Sequence, residues 1–148
     1  VWIIPAHRMK GQKEHTIPLS KEAASKLRIL SDIRSSKYVF PNLSSSKHLS
    51  QAGMSSVLKR LNKNCDWLDT QGRKISVHGF RSTFRDYIAD KTMFDGAMAE
   101  HALAHKIPDA SVAAYHRTTM VEKRRAMMQK YSDYAYSTPQ SKVVSITG

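Results

Sequence analysis

Between Ser76 and Asp90 the apolar residues Val77, Phe80, Phe84, Tyr87 and Ile88 recur at intervals of three and four. An α-helix with one buried stripe needs that period; a strand, with its period of two, has no use for it. The stretch predicts a helix, and a helix with one apolar face needs another layer to cover it. Two further segments offer one. Phe94–Leu103 reads as a helix. So does Val121–Tyr136, with Met127 or Met128, Tyr131, and Tyr134 or Ala135 as its seam. Pro108 separates these two and leaves a short segment, Ala110–Tyr115. Earlier in the chain Ser20 is an N-cap candidate, with Glu22 in the first turn and Ala23, Ala24, Leu27 and Leu30 on one stripe. Ser50–Leu61 carries Met54, Val57, Leu58 and Leu61 at helical spacing.

The start of the chain has another character. Val1–Ile4 is β-branched and aromatic and ends at Pro5, the pattern of a strand. His7–Lys10 and His15–Leu19 flank the polar stretch Gly11–Glu14 and predict a β-hairpin whose tip carries Lys10, Gly11 and Lys13. Tyr38–Pro41 reads as a short extended piece, Asn42–His48 as a Ser-rich loop and Asn62–Lys74 as a polar connection. No internal repeat is present. The expected class is α+β: a small antiparallel β-hairpin sheet, then a mostly helical body. Residues 1–136 form one domain in this reading, and residues 137–148 form a flexible tail.

Charge narrows the partner. The 148 residues hold 24 Lys and Arg against 12 acids, a formal charge of +12, which points to a polyanion and most simply to nucleic acid. The single cysteine, Cys65, rules out a disulfide within the chain and a Cys-rich zinc module, and suits a reducing compartment. No apolar run approaches the roughly 20 residues of a membrane span. Val1–Pro5 is too short for a signal-peptide core. The chain opens on strand-forming residues with no initiator Met, and is read as a fragment of a longer protein.

Two short patterns carry reactive groups. His78-Gly79-Phe80-Arg81 sets an imidazole and a guanidinium on one helix face, where both can address a single phosphate. Taken alone, H-x-x-R is common, and its plain reading is a solvated pair. Leu103-Ala104-His105 is followed ten residues later by Tyr115, within Ala113-Ala114-Tyr115-His116-Arg117. A tyrosine after two alanines is ordinarily a packed ring. As a nucleophile its phenol, with a pKa of about 10, needs a base or a cationic site; Arg81, His78 and His105 would supply one.

In this order the motifs resemble the tyrosine recombinases of phage, prophage and genomic-island integrases. Arg8-Met9-Lys10 through Ser20 is similar to the family's hairpin. His78 through Phe84 resembles its second box, and Glu100–His105 with Ala113–Arg117 its third box and nucleophile segment. Arg124-Arg125-Ala126-Met127-Met128 fits the prophage and genomic-island branch, and the likeness spans residues 1–136.

The resemblance implies DNA integration and excision through a 3′-phosphotyrosyl link on Tyr115, without metal, cofactor or ATP. Lys10 is then the general acid for the 5′ oxygen and Arg81 the holder of the phosphate. His78 is the proton acceptor and His105 the second phosphate donor. Lys13 is the rival lysine; the pattern K-x-x-K-x-x-x-x-P-L favours Lys10. The resemblance also implies double-stranded attachment-site DNA, a tetramer of protomers on it, an accessory DNA-bending or excision factor and a cytoplasmic, nucleoid-associated location. The family's other arginine box, and the acidic residue after it, match nothing in this chain, so the chain alone is expected to fold yet be inactive.

Lys13, Lys59, Arg60, Lys63, Arg73 and Lys74 are candidate contacts to the DNA backbone, or else part of a solvated charged face. His101 and His105 have the H-x-x-x-H spacing, but no Cys or carboxylate pattern completes a metal site, and Glu100 is expected to face elsewhere on the helix. The last helix is read as packing on its own domain, although in the family a C-terminal segment often docks on a neighbour. A DNA-binding module without chemistry, and relaxation of the type IB topoisomerase kind, are the competing functions.

Overall fold

The computed structural model describes residues 1–42, 47–65, 67–69, 71–105 and 120–137. Among these are two strands, β1 (Trp2–Ile4) and β2 (His15–Ile17), and helices α1 (Lys21–Asp32), α2 (Gln51–Cys65), α3 (Gly79–Lys91), α4 (Gly96–Ala102) and α5 (Val121–Tyr136). The α+β class expected from the sequence is the one observed. The segment Ala110–Tyr115, with Pro108 before it, lies outside the described residues, as do residues 43–46 of the Ser-rich loop and residues 138–148 of the tail.

The hairpin differs from the expected one in its first arm. β2 pairs antiparallel with β1, in the register Trp2↔Ile17, Ile3↔Thr16 and Ile4↔His15. His7–Lys10 is not a strand. Pro5 starts a turn of 3₁₀ helix over Ala6–Arg8, closed by Arg8 N–H donating to Pro5 O at 2.9 Å and Met9 N–H to Ala6 O at 3.0 Å. Proline presets φ for such a turn and has no N–H to give a ladder. Lys10, Gly11 and Lys13 therefore sit on a long connection between the strands, all exposed.

Three layers make the core. Phe84 and Ile88 of α3 meet Met98 and Ala99 of α4 and Met127 of α5; Ile88 and Met127 are wholly buried. Tyr131 stands edge-on to Phe84 at 5.0 Å, and Tyr134 stacks on Tyr87 at 4.3 Å, so the expected seam of the last helix packs on its own domain. The α3 periodicity is only partly used, since Phe80 is 53% exposed. The α2 stripe is a larger departure: Met54, Val57 and Leu61 are exposed among the described residues. That helix also runs on to Cys65, where Asn62 Oδ1 accepts the Trp67 N–H and turns the chain.

Polar pins attach the hairpin and α1 to this core. Ser20 caps α1 as expected, its Oγ accepting the Ala23 N–H at 3.2 Å. Glu22 accepts from Ser132 Oγ at 2.7 Å and Gln129 Nε2 at 3.0 Å, both on α5. The ring of His15 donates from Nε2 to Ala102 O at 3.2 Å, at the end of α4. Burial pulls the His15 pKa down more than that carbonyl raises it, and Arg124 lowers it further. Arg124, 1% exposed, donates from Nη2 to Thr16 O, while its Nε and Nη1 have no partner among the described residues. Desolvation lowers the pKa of this guanidinium too. Strand β2 is thus held between α4 and α5.

Candidate active site

The site begins with the way α3 starts. Ser76 Oγ accepts the Gly79 N–H at 3.1 Å, and the helix opens at Gly79 rather than at Ser76. His78 takes the N-cap position without a capping bond from its side chain, which leaves its ring uncommitted to the helix end. Arg81 follows in the first turn, its N–H bonded to His78 O at 3.0 Å. Both side chains are exposed and line one open cleft, with Ser82, Arg85, Glu100, Leu103 and His105.

The other wall is the end of α4. The helix stops at Ala102, short of the expected Leu103, and Ala104 has φ +55°. Ala104 N–H donates to His101 O and His105 N–H to Glu100 O, each at 3.0 Å. This is a Schellman ending, which usually carries glycine at the left-handed position. It swings His105 off the helical path. His101 lies beside His15, ring centres 6.1 Å apart, while His105 turns back over Glu100. The two histidines that an uninterrupted helix would align are therefore parted.

An alanine at +55° is strained, because its Cβ crowds the following carbonyl. Ala104→Gly is expected to raise stability by about 0.5–1 kcal/mol, the gain being reduced by glycine's looser unfolded chain. Urea unfolding checks this; a less stable variant would mean that the turn is not held as described.

The contacts in the cleft form a short chain. Arg81 Nη2 donates to Leu103 O at 2.6 Å and to His105 Nε2 at 2.7 Å. His105 Nδ1 lies 2.5 Å from Glu100 Oε2, and Arg85 Nε donates to Glu100 Oε1 at 2.6 Å. Since a guanidinium only donates, Nε2 must be an acceptor, and the ring proton sits on Nδ1. The Glu100 carboxyl is held below its ordinary range, chiefly by the hydrogen bond from His105; burial opposes this, and Arg85 adds to the lowering. Sequence reasoning set Glu100 aside on the assumption that the helix continued to His105, and passed over Arg85. The left-handed residue that reverses this could not be read from a helical wheel.

The structure brings only some of the predicted residues together. Arg81 and His105 touch, and His78 lines the same cleft. Lys10 and Lys13 are exposed on the β1–β2 connection and are not among the cleft's lining residues. Lys59, Arg60 and Lys63 are exposed on α2. Lys74 and Arg73 lie on a tight turn bridged Leu68↔Lys74, where Arg73 is paired with Asp69 at 2.8 Å. Tyr115 lies outside the described residues. A cleft lined by a guanidinium and two imidazoles can hold a phosphate and move protons near it.

Comparison with known proteins bears on this geometry. The family described as the phage integrase family matches residues 1–137. The chain is 28% identical to prophage integrase IntA of Escherichia coli K12 over 97% of its own length and 33% of the relative's. It is 31% identical to prophage integrase IntZ of the same strain, covering 88% of the chain and 30% of the relative. With the integrase of Enterobacteria phage P4 the identity is 30%, over 90% and 33%. The chain thus spans about a third of the length of these curated relatives. No solved structure matches it.

Proposed function

Because the chain belongs to the phage integrase family, we propose that residues 1–136 are the catalytic domain of a site-specific tyrosine recombinase that integrates and excises a mobile element. The observation that carries this reading is the cleft in which Arg81 meets His105, with His78 on its wall. Metal-free cleavage of a phosphodiester needs donors for the non-bridging oxygens, a nucleophile, and an acid for the leaving alkoxide.

In the proposed reaction the phenol oxygen of Tyr115 attacks phosphorus and its proton passes to His78. Arg81 and His105 donate to the non-bridging oxygens. The bond to the 5′ oxygen breaks and Lys10 protonates that oxygen. The product is a 3′-phosphotyrosine and a free 5′-hydroxyl. A 5′-hydroxyl from a second duplex reverses the sequence, so the phosphodiester energy is conserved without ATP.

The partner is double-stranded attachment-site DNA in the cytoplasm, bound by a tetramer with an accessory bending or excision factor. Lys13, Lys59, Arg60, Lys63 and Lys74, with Arg73 once it leaves Asp69, contact phosphates and confer salt sensitivity rather than sequence choice. A further arginine box comes from a longer protein, and the 148-residue chain alone cleaves poorly.

The test uses that full-length protein on a nicked suicide substrate carrying the element's junction. An SDS-resistant protein–DNA adduct is expected, and peptide mapping should find the phosphotyrosine at Tyr115. An adduct on another residue would move the nucleophile. Salt-sensitive binding with no adduct would leave a DNA-binding module, and relaxation of supercoils without joining of two sites would indicate topoisomerase-like chemistry.

A further inference from the structure

We infer that Glu100 is a positioning residue, which sets the tautomer and the aim of His105 so that Nε2 points at the phosphate; this rests on the recombinase reading above. Glu100 holds His105 twice. Its main-chain oxygen accepts the His105 N–H at 3.0 Å, and its carboxylate lies 2.5 Å from Nδ1. Its other oxygen is fixed by Arg85 Nε at 2.6 Å, so the carboxylate cannot rotate away without breaking an ion pair.

In this arrangement Nε2 accepts from Arg81 and cannot also donate. A phosphate in the cleft changes the order of preference, since an anion with several acceptor oxygens competes well for the guanidinium. When Arg81 turns to it, Nε2 loses its donor. Nε2 then takes a proton from solvent and donates to the same phosphate. The imidazolium so formed keeps its Nδ1–H on Glu100, which balances the new charge. The charged groups around His105 are Arg81 and Arg85 from α3 and Glu100 from α4, with His78 on the wall of the same cleft. Without Glu100 nothing among the described residues holds the Nδ1–H, and once Arg81 turns to the phosphate the ring is free to flip or change tautomer. A carboxylate behind a working histidine is a recurrent arrangement for this purpose.

Two measurements test the inference. The first is the ¹⁵N spectrum of the His105 ring in the free full-length protein at neutral pH, carrying Arg81→Ala so that the guanidinium no longer fixes Nε2. The Nδ1–H form is expected with Glu100 present, and loss of that preference on Glu100→Ala. An Nε2–H ring with Glu100 present, or no change on Glu100→Ala, overturns the proposal. This readout needs no cleavage, so it stands even if the recombinase reading fails.

The second is single-turnover cleavage of the suicide substrate. Glu100→Ala should slow it about 10- to 100-fold with DNA affinity unchanged, with Glu100→Asp recovering part of the loss. In a His105→Ala background, Glu100→Ala should add nothing. An equal loss in both backgrounds would show that Glu100 acts on the fold and not through His105.

Discussion

Arg81→Ala in the full-length protein is expected to slow DNA cleavage by about 10²–10³-fold, the usual cost of removing one donor from a developing oxyanion. The wild-type guanidinium is exposed and in contact with Leu103 O and His105 Nε2, so its position is set by the end of α4 as well as by α3. DNA affinity should change little, because a single phosphate contact is a small part of a surface with a formal charge of +12. Arg81→Lys should not restore the rate. An ammonium cannot span two oxygens in one plane, nor bridge a carbonyl and an imidazole in the same way. Single-turnover rates on the suicide substrate decide the matter; cleavage by Arg81→Ala within a few-fold of wild type would remove Arg81 from the phosphate site.

Ile88→Ala is expected to destabilise the fold by about 2–5 kcal/mol, the range for truncating a fully buried aliphatic side chain. Ile88 has no exposed surface, and it sits in the cluster that joins α3 to α4 and α5 through Met98, Ala99 and Met127. Little can collapse into the space it leaves, because Phe84 is already braced edge-on against Tyr131. Against a total stability of about 5–15 kcal/mol, such a loss is a large fraction. Denaturant unfolding measures it, and a cost under about 1 kcal/mol would mean that the three helices do not close over this position. The contrast with Phe80, on the same helix and 53% exposed, gives an internal control: Phe80→Ala should cost far less.

What the sequence made legible follows from how local each cause was. The apolar spacing of α3 and α5 and the Ser20 cap are short-range signals, and the helices form where those signals lie. Which residues of a stripe become buried is not local, and Phe80 and the α2 stripe of Met54, Val57 and Leu61 remain exposed. The first hairpin arm differs because its expectation rested on His7–Lys10 flanking the polar stretch Gly11–Glu14, whereas Pro5 commits the chain to a turn before that stretch is reached. At the candidate site His78, Arg81 and His105 were legible through their motif spacing. Glu100 and Arg85 were not, since their roles depend on the left-handed turn at Ala104. An alanine there sends no signal, where a glycine would have hinted at one.

The distances along the chain that separate these contacts differ greatly, and that difference has a kinetic meaning. The cleft is closed by contacts between Arg81 and His105 and between Arg85 and Glu100, only 24 and 15 residues apart. The hairpin bearing Lys10 is tied down through His15–Ala102 and Thr16–Arg124, separations of 87 and 108. Closing short loops costs less chain entropy than closing long ones, and local contacts form sooner. The helical pair that forms the proposed phosphate cleft is expected to take shape as a unit of its own. The lysine arm then arrives last, after α5 has been made and docked, so an immature chain could grip a phosphate while the group proposed to protonate the leaving oxygen was still unplaced.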